Sequence, residues 1–281
     1  RFSRRCAESG ITFVGPSSEL LEKLGNKVVA RQLAKGLGIS VIPGADKVIK
    51  DLDKASIVVK ELGFPLIIKA TYGGGGRGMR IIRSSDQLEN QLEEARREAE
   101  VTFGDGSLFM ERFIERAKHV EVQILADSYG QVMHLYERDC SIQRRYQKVV
   151  EVAPAETISL KLRKELYEAS IHLAQKIGYV NAGTVEFLVD LDRESWYFME
   201  FNPRIQVEHT VTEMVTGIDL VRSQILISQG CRLHDPPLSL PLQKQLPLYG
   251  TAVQCRITTE DPQNGFAPDF GKITTYRSPS G

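Results

Sequence analysis

Residues 183–209 read GTVEFLVDLDRESWYFMEFNPRIQVEH, a stretch that places two β-rich runs on either side of a short polar turn. The runs at residues 183–189 and 196–201 carry the branched and aromatic side chains that favour strands, and LDRES joins them. This spacing predicts a β-hairpin that ends in Asn202, Pro203 and Arg204. A helix is predicted to follow over residues 207–215, and strand next to helix indicates a mixed α and β fold.

Each run of this hairpin contains one glutamate. If Glu186 and Glu200 face the same side, their carboxylates and the Asn202 amide form an oxygen-rich cluster of the kind that magnesium prefers. Glutamates on the open face of a hairpin are more often simply solvated. Here each glutamate has apolar neighbours in the sequence, so metal binding is the favoured interpretation.

Two other segments are rich in hydrogen-bond donors. Residues 138–148, RDCSIQRRYQK, combine arginines with glutamines and a tyrosine, which suits directional recognition of a small planar anion. Residues 202–213 bring Arg204, Gln206 and Glu208 into a strand-to-helix turn. A carboxylate among arginines can act as a general base, and an arginine fork fits a carboxylate or bicarbonate. We interpret the neighbouring His209 as structural.

The chain before residue 114 shows two patterns. Residues 11–14 predict a strand, and Leu20, Leu24 and Val28 predict a helix after it, which together make an α/β unit. Beyond a linker near Gly44, the pattern predicts a helix over 51–62, strands over 64–70 and 79–83, a helix over 85–100 and a strand over 108–113. This module has the character of a lid between two larger parts.

Regular elements are also predicted in the second half of the chain. Residues 120–125 and 132–137 alternate as a hairpin around the turn DSYG. Residues 160–177 predict a helix that stops at Gly178. A helix is predicted over 220–229, and a proline-rich loop leads from it into residues 249–258.

A glycine-rich segment, Gly73 to Gly78, follows the first predicted strand of the lid. It lacks the Gly-Lys-Ser/Thr ending of a P-loop and leads into a strand, so neither the Walker nor the dinucleotide-binding pattern applies. Its backbone amides can turn toward an anion. Lys69 before the segment and Arg77 within it favour phosphate binding over a plain hairpin tip.

Composition excludes several classes of protein. The 281 residues include 36 basic and 36 acidic side chains, so no long-range field favours nucleic acid or an anionic membrane. The 4 cysteines form no CxxC pair, which argues against a disulfide framework and a structural zinc site. No apolar run approaches the ~20 residues of a membrane-spanning helix. Because the chain opens with Arg1, we expect its natural N-terminus to be missing.

Seven segments together resemble one known family. In chain order they are GGGGRGMR at 73–80, ERDCSIQRR at 137–145, QKVV at 147–150, APA at 153–155, GTVEF at 183–187, EFNPRIQVEH at 200–209 and CRITTEDP at 255–262. They are similar to the biotin carboxylase family. Residues 135–140, 181–189 and 248–262 look closest to the carboxylase domain of pyruvate carboxylases. Tyr146 departs from the pattern, because family members usually have histidine there.

The resemblance implies an ATP-grasp fold that combines α/β and α+β parts and has a mobile lid subdomain. Residues 1–41 would be the tail of an N-terminal α/β domain, residues 42–113 the lid subdomain, and residues 114–281 the C-terminal biotin carboxylase region, cut short. The chain would then be a fragment that lacks most of the N-terminal domain and the C-terminal end.

The resemblance also implies a set of site residues. Those around ATP are Lys27, Lys69, Gly74, Gly75, Gly76, Met79, Glu111, Arg112, Ile114, His119 and Gln143. Magnesium or manganese would be held by Glu186, Glu200 and Asn202. Bicarbonate would be held by Lys148, Arg204, Gln206 and Val207. Glu208 would take the bicarbonate proton, and Arg256 would stabilise the biotin enolate.

The implied activity is that of an ATP-dependent ligase. Bicarbonate and ATP would form carboxyphosphate, which breaks down to the carbon dioxide that biotin takes up, as in the first half-reaction of pyruvate carboxylase. The implied partners are a biotinyl carrier domain and a carboxyltransferase domain on the same full-length chain, within a homo-oligomer. The enzyme would be cytoplasmic in a bacterium, and in the mitochondrial matrix or cytosol of a eukaryote.

Three alternatives stay open. The first is the biotin carboxylase component of an acetyl-CoA or other acyl-CoA carboxylase. The second is another ATP-grasp ligase that does not use biotin, against which the segment QVEH at 206–209 argues. The third is an inactive nucleotide-binding module, which would have no need of Lys148, Arg204, Glu208 and Arg256.

Overall fold

The structure, a computed structural model, describes residues 1–45, 48–49, 51–71 and 79–277. Its largest unit is a sheet of 6 strands in the order β8-β7-β4-β5-β6-β9, in which every neighbouring pair is antiparallel. The strands are β4 (Ala117–Ala126), β5 (Val132–Arg144), β6 (Gln147–Ala153), β7 (Asn181–Asp190), β8 (Ser195–Asn202) and β9 (Ala252–Cys255). Both predicted hairpins, β4–β5 and β7–β8, are therefore confirmed.

One face of this sheet packs on helices. Val120, Val122 and Ile124 of β4 share a buried core with Leu162 and Leu166 of α6 (Leu160–Lys176). Two helices near the start of the chain, α2 (Ser18–Gly25) and α3 (Lys27–Gly36), join the same core. Since alternate residues of a strand point to opposite faces, the opposite face of β4 carries His119, Glu121 and Gln123.

The second unit is a small sheet of 3 antiparallel strands in the order β2-β1-β3. Its strands are β1 (Leu66–Ala70), β2 (Arg80–Ile82) and β3 (Leu108–Arg112). They share a separate buried core with α4 (Leu52–Leu62) and α5 (Leu88–Phe103). The predicted elements of residues 51–113 thus form as expected, within a few residues at their ends.

Residues 42–44 lead into the small sheet and are held by arginines from two different elements. Arg31 of α3 donates to the carbonyls of Ile42 and Gly44, and the Arg112 N–H donates to the Pro43 carbonyl at 2.7 Å. At Gly44 an added Cβ would lie 2.6 Å from the Cβ of Glu111, so a residue without a side chain is needed at this crossing.

The remaining described elements lie at the ends of the chain and around the larger sheet. Apart from three short 3-10 helices (Ser85–Gln87, Gln243–Gln245 and Pro262–Asn264), they are α1 (Phe2–Glu8), α7 (His209–Thr216), α8 (Leu220–Ser228), β10 (Glu260–Asp261) and β11 (Ala267–Pro268). Among the described residues, no helix is long and apolar enough to cross a membrane.

Two local predictions for the first forty residues are wrong. Residues 11–14 form no strand, because no partner strand lies beside them among the described residues and Ile11 stays 60% exposed. The single helix predicted through Leu24 and Val28 is two helices. Asn26 ends the first, and its Oδ1 accepts the N–H groups of Val28 and Val29 at 3.0 and 3.1 Å, which begins the second.

Candidate active site

The β7–β8 hairpin places the three predicted magnesium ligands together. Glu186 and Glu200 are direct cross-strand partners. The Asn202 Nδ2 donates to both carboxylates, at 2.6 Å to Glu186 and 3.2 Å to Glu200. Lys27, the first residue of α3, has its Nζ 3.3 Å from Glu200 Oε2. The start of α3 therefore reaches the same site as the hairpin.

Glu186 is buried and surrounded by donors. His119 Nε2 lies 2.6 Å from its Oε2, and Gln206 Nε2 donates to its Oε1 at 2.8 Å. Gln143 Nε2 contacts the other ring nitrogen of His119 at 2.7 Å. Burial raises the pKa of Glu186, but Lys148 and then His119 outweigh that effect and hold the pKa well below its usual range. Glu186 is thus an ionised buried carboxylate.

Lys148 is the central cation of the site. Its Nζ donates to Glu208 at 2.7 Å, to Glu186 at 3.1 Å, and to Glu121 in a still shorter contact. Burial lowers the pKa of this ammonium group, but the surrounding carboxylates, Glu121 first, raise it above its ordinary value. Lys148 therefore stays charged and is held in one place.

Glu208 lies between two cations at the start of α7. One oxygen accepts from Lys148 and the other accepts from Arg256 Nη2 at 2.8 Å. Burial raises the pKa of Glu208. Lys148 and then Arg138 lower this pKa by more than burial raises it, so the net shift is downward. Arg256 comes directly after β9, and its Nε donates to Glu151 on the neighbouring strand β6 at 2.6 Å. The predicted base and the predicted biotin-facing arginine are in direct contact.

Sequence reasoning missed a buried polar layer beneath these groups. Arg138 is fully buried and donates to Glu121 at 2.6 Å, to Gln123 and Thr212 at 2.9 Å, and to Gln206 at 3.3 Å. Arg138 belongs to the donor-rich segment predicted at residues 138–148, whereas its buried partners and neighbours were missed, namely Glu121, Gln123, Glu151 and Thr212. Glu121 and Gln123 alternate with Val120, Val122 and Ile124, and this polar stripe within an otherwise apolar strand was a signal that could have revealed the layer.

Other predicted residues lie at the edges of this cluster. Arg204 is exposed on the turn after β8 and donates to the Ile205 carbonyl at 3.1 Å. Val207 is 61% exposed. His209 contacts the Gln206 carbonyl at 2.8 Å through Nδ1, a local contact in line with a structural role.

The small sheet carries the predicted nucleotide-binding residues of the lid. Lys69 on β1 and the buried Glu111 on β3 form an ion pair. The side chain of Arg112 donates to the Leu62 carbonyl at 3.3 Å, and Met79 lies just before β2. The glycine segment with Gly74, Gly75 and Gly76 lies outside the described residues.

The donor set of the hairpin fits magnesium. Magnesium prefers a few carboxylate oxygens together with phosphate oxygens and water, and Glu186 and Glu200 supply two such carboxylates. Asn202 would contribute its Oδ1 once the amide is turned. Two other groups bring possible ligand atoms within 4.8 Å of one another, namely His119 with Glu121 and Glu186, and Cys140 with Glu121 and Glu208. Burial raises the pKa of the Cys140 thiol well above its usual value, which makes it a poor ligand for magnesium.

The chain is similar to several known proteins over most or all of its length. The family model of the carbamoyl-phosphate synthase L chain, ATP binding domain, matches residues 26–235. The pyruvate carboxylase of Bacillus subtilis (strain 168) is 51% identical over 280 residues, which are 100% of this chain and 24% of that protein. The mitochondrial pyruvate carboxylase of Homo sapiens is also 51% identical over 280 residues, with 100% of this chain and 23% of that protein covered. The chain thus spans about a quarter of the length of these relatives.

One solved structure shows the same fold as this chain. The biotin carboxylase domain of the Hydrogenobacter thermophilus 2-oxoglutarate carboxylase, in complex with MgADP, ADP and bicarbonate, superposes with a TM-score of 0.93 at 45% identity, covering 100% of this chain and 60% of that chain. The chain therefore belongs to the family of carbamoyl-phosphate synthase L chain ATP-binding domains, and its fold is the ATP-grasp fold of the biotin carboxylase domains.

Proposed function

We propose that this chain is the biotin carboxylase region of a larger biotin-dependent carboxylase, which uses ATP and bicarbonate to carboxylate biotin. One observation carries this proposal. Lys148 and Arg256 both hold Glu208, and Lys148 also contacts Glu186 of the magnesium-type pair. A base held by two cations beside metal-type carboxylates suits activation of a small anion. A nucleotide-binding module would need no such base.

The ATP site in this proposal lies between the small sheet and the hairpin. Lys27 and Lys69 would contact the phosphates, together with Gly74, Gly75 and Gly76 of the glycine segment. The adenine would lie against Met79, Glu111, Arg112 and Ile114. Because the Arg112 N–H already donates to Pro43, its carbonyl is the group suited to accept from the adenine amino group. His119 and Gln143 would line the phosphate side.

Bicarbonate would bind at the turn after β8, with Arg204, Gln206, Val207 and Lys148 as its contacts. Bicarbonate is a weak nucleophile. Glu208 would therefore remove the proton of bicarbonate while a bicarbonate oxygen attacks the γ-phosphorus of ATP. The products are carboxyphosphate and ADP. Lys148 and Arg204 would hold the anion in line with the phosphate, which lowers the entropic part of the barrier.

Glu186, Glu200 and Asn202 would hold magnesium or manganese. The ion would neutralise charge on the phosphate oxygens during transfer.

The second step would use the products of the first. Carboxyphosphate breaks down to carbon dioxide and phosphate, and the phosphate takes the proton of the biotin ureido nitrogen. Arg256 would stabilise the enolate that attacks carbon dioxide. Because water destroys carboxyphosphate, we propose that residues 42–113 act as a lid that closes over ATP before the reaction.

The molecule that finally accepts the carboxyl group from biotin would bind to other domains of the full-length enzyme. The relatives described above are named pyruvate carboxylase and 2-oxoglutarate carboxylase, so we propose a 2-oxo acid as the acceptor class, with pyruvate first. A biotinyl carrier domain and a carboxyltransferase domain on the same full-length chain, in a homo-oligomer, would complete the enzyme. We place it in the cytoplasm of a bacterium, or in the mitochondrial matrix or cytosol of a eukaryote.

The test of this proposal is the substrate dependence of ATP cleavage by the full-length enzyme. We expect release of phosphate only when bicarbonate is present, and faster release when free biotin is added. Phosphate release at the same rate with and without bicarbonate would overturn the proposal. Replacing pyruvate with an acyl-CoA in the complete reaction distinguishes the acceptor classes.

A further inference from the structure

The crossing segment, residues 40–45, carries the chain from the large sheet into the small sheet. Its start is tied to the large sheet, because the Phe198 N–H of β8 donates to the Ser40 carbonyl at 2.8 Å. Its end is tied to the small sheet, because the Ala45 N–H donates to the Met110 carbonyl of β3 at 2.7 Å. The path of the crossing segment therefore helps to set how the small sheet is oriented toward the large one.

One buried side chain holds the middle of the crossing segment. Arg31 of α3 donates from Nη1 to the Ile42 carbonyl and from Nη2 to the Gly44 carbonyl, the latter at 3.4 Å. The planar fork of a guanidinium group suits such a double contact. The carbonyl of Pro43, between these two, accepts the Arg112 N–H of β3 at 2.7 Å. Both α3 and β3 therefore hold the same three residues.

The contacts of Arg31 differ from those of an ordinary buried ion pair. Within the described part of the chain its partners are two neutral carbonyls, and its Nε has no hydrogen-bond partner. Its neighbours Ala30 and Ala34 on α3 belong to the core of the large sheet. Burying a cation on neutral partners is costly, so an arginine at this position points to a need to fix the crossing segment.

The same helix also reaches the proposed ATP site. Lys27 lies four residues before Arg31 on α3, and residues four apart on a helix share one face. The Nζ of Lys27 is 3.3 Å from Glu200 Oε2. On the side of the small sheet, Gly44 pairs with Glu111 in a single β-bridge. One rigid element thus carries a contact for the phosphates and the support of the segment that lies against the adenine side.

We propose that Arg31 is a positioning residue for ATP binding, which fixes the crossing segment so that the two halves of the nucleotide site face each other. This inference rests on the ATP site of the proposed function. Without the two contacts, the small sheet would take several orientations, of which only a fraction presents both halves. The apparent affinity for ATP falls in proportion to that fraction. The proposed bicarbonate contacts lie on the large sheet and on the turn after β8, so bicarbonate binding should not depend on Arg31.

The experiment uses Arg31→Met in the full-length enzyme, because methionine keeps an apolar stem and removes the donors. Binding of MgATP is measured directly, without bicarbonate or biotin. We expect the dissociation constant to rise by about tenfold, which corresponds to a competent fraction of about one tenth. The KM for bicarbonate should change by less than about twofold. Hydrogen exchange should accelerate at the amides of Ala45 and Arg112, which are bonded across the crossing segment. If this variant does not fold, Arg31→Gln is too short to reach both carbonyls, and the same rise is expected.

The matched control is Arg163→Met. Arg163 lies on α6, and its Nε pairs with the buried Glu137 at 2.8 Å, outside the site. We expect this control to lower thermal stability without changing ATP affinity or exchange at the crossing segment. If Arg31→Met keeps the ATP affinity of the wild type, or if both variants lose it equally, the role of Arg31 is structural and the inference is overturned. Cleavage of ATP without bicarbonate by the wild type would overturn the proposed function alone, because this test measures nucleotide binding.

Discussion

Replacing Glu208 with glutamine tests the chemistry of the site most directly. The change keeps the size of the side chain and removes the base. It leaves one acceptor oxygen where Glu208 offers two, of which one contacts Lys148 at 2.7 Å and the other contacts Arg256 at 2.8 Å. A positioned base contributes about 10²–10⁴ in rate. The cations beside Glu208 lower its pKa and weaken it as a base. We therefore expect the loss at the lower end, about 100-fold in kcat, or about 2.7 kcal/mol in activation free energy.

The assay is bicarbonate-dependent phosphate release by the full-length enzyme, together with a direct measurement of ATP binding. The affinity for ATP should stay within about twofold of the wild type, since a loss confined to kcat marks an interaction made in the transition state. Glu168→Gln, on the exposed side of α6, is the control, and its activity should equal that of the wild type. A loss of ATP affinity as large as the loss of rate would refute the assignment and place Glu208 in the nucleotide site.

Two further predictions concern stability and are measured by urea unfolding. Arg138→Met should lower the free energy of unfolding by about 3 kcal/mol, the low end for a broken buried pair, because Glu121 keeps Lys148 as a partner. Arg116→Met, which breaks an exposed pair with Asp192, should lower the free energy of unfolding by less than about 1 kcal/mol. Equal losses in the two variants would contradict a stabilising role for the buried contacts of Arg138. Burial lowers the pKa of His134 to about 4, so the folded chain binds fewer protons than the unfolded chain as pH falls from 6.5 toward 4. The free energy of unfolding should therefore fall by up to about 1.4 kcal/mol per pH unit between pH 6.5 and 4. His134→Phe should remove this contribution to the dependence of stability on pH.

Local patterns sufficed for most of the elements. The α6 helix shows the helical period and ends before Gly178, and the β7–β8 hairpin shows two β-rich runs around a polar turn. These signals come from residues that are close in sequence, and the residues with which they form backbone hydrogen bonds are also close in sequence. Residues 11–14 show the limit of such reasoning, because β-rich composition needs a partner strand that sequence alone did not supply.

The candidate site was predictable where its residues share one hairpin. Glu186, Glu200 and Asn202 come together because of the register of β7 and β8 alone. Glu151 and Arg256 lie 105 residues apart and meet only because β9 pairs with β6 at the edge of the sheet. That strand order depends on packing across the whole chain, which no local pattern encodes.

The charge balance explains why composition gave no sign of this site. The chain has a net charge of +0, and the cations of the site contact carboxylates directly, Arg138 with Glu121, Lys148 with Glu208 and Arg256 with Glu151. Burial alone would favour neutral lysine, yet the carboxylates raise the pKa of Lys148. Lys148 is thus kept charged, and its three carboxylate contacts fix its position before any anion arrives. An anion that enters meets donors that need little reorganisation, and this preorganisation is what the proposed activation of bicarbonate, a poor nucleophile, requires.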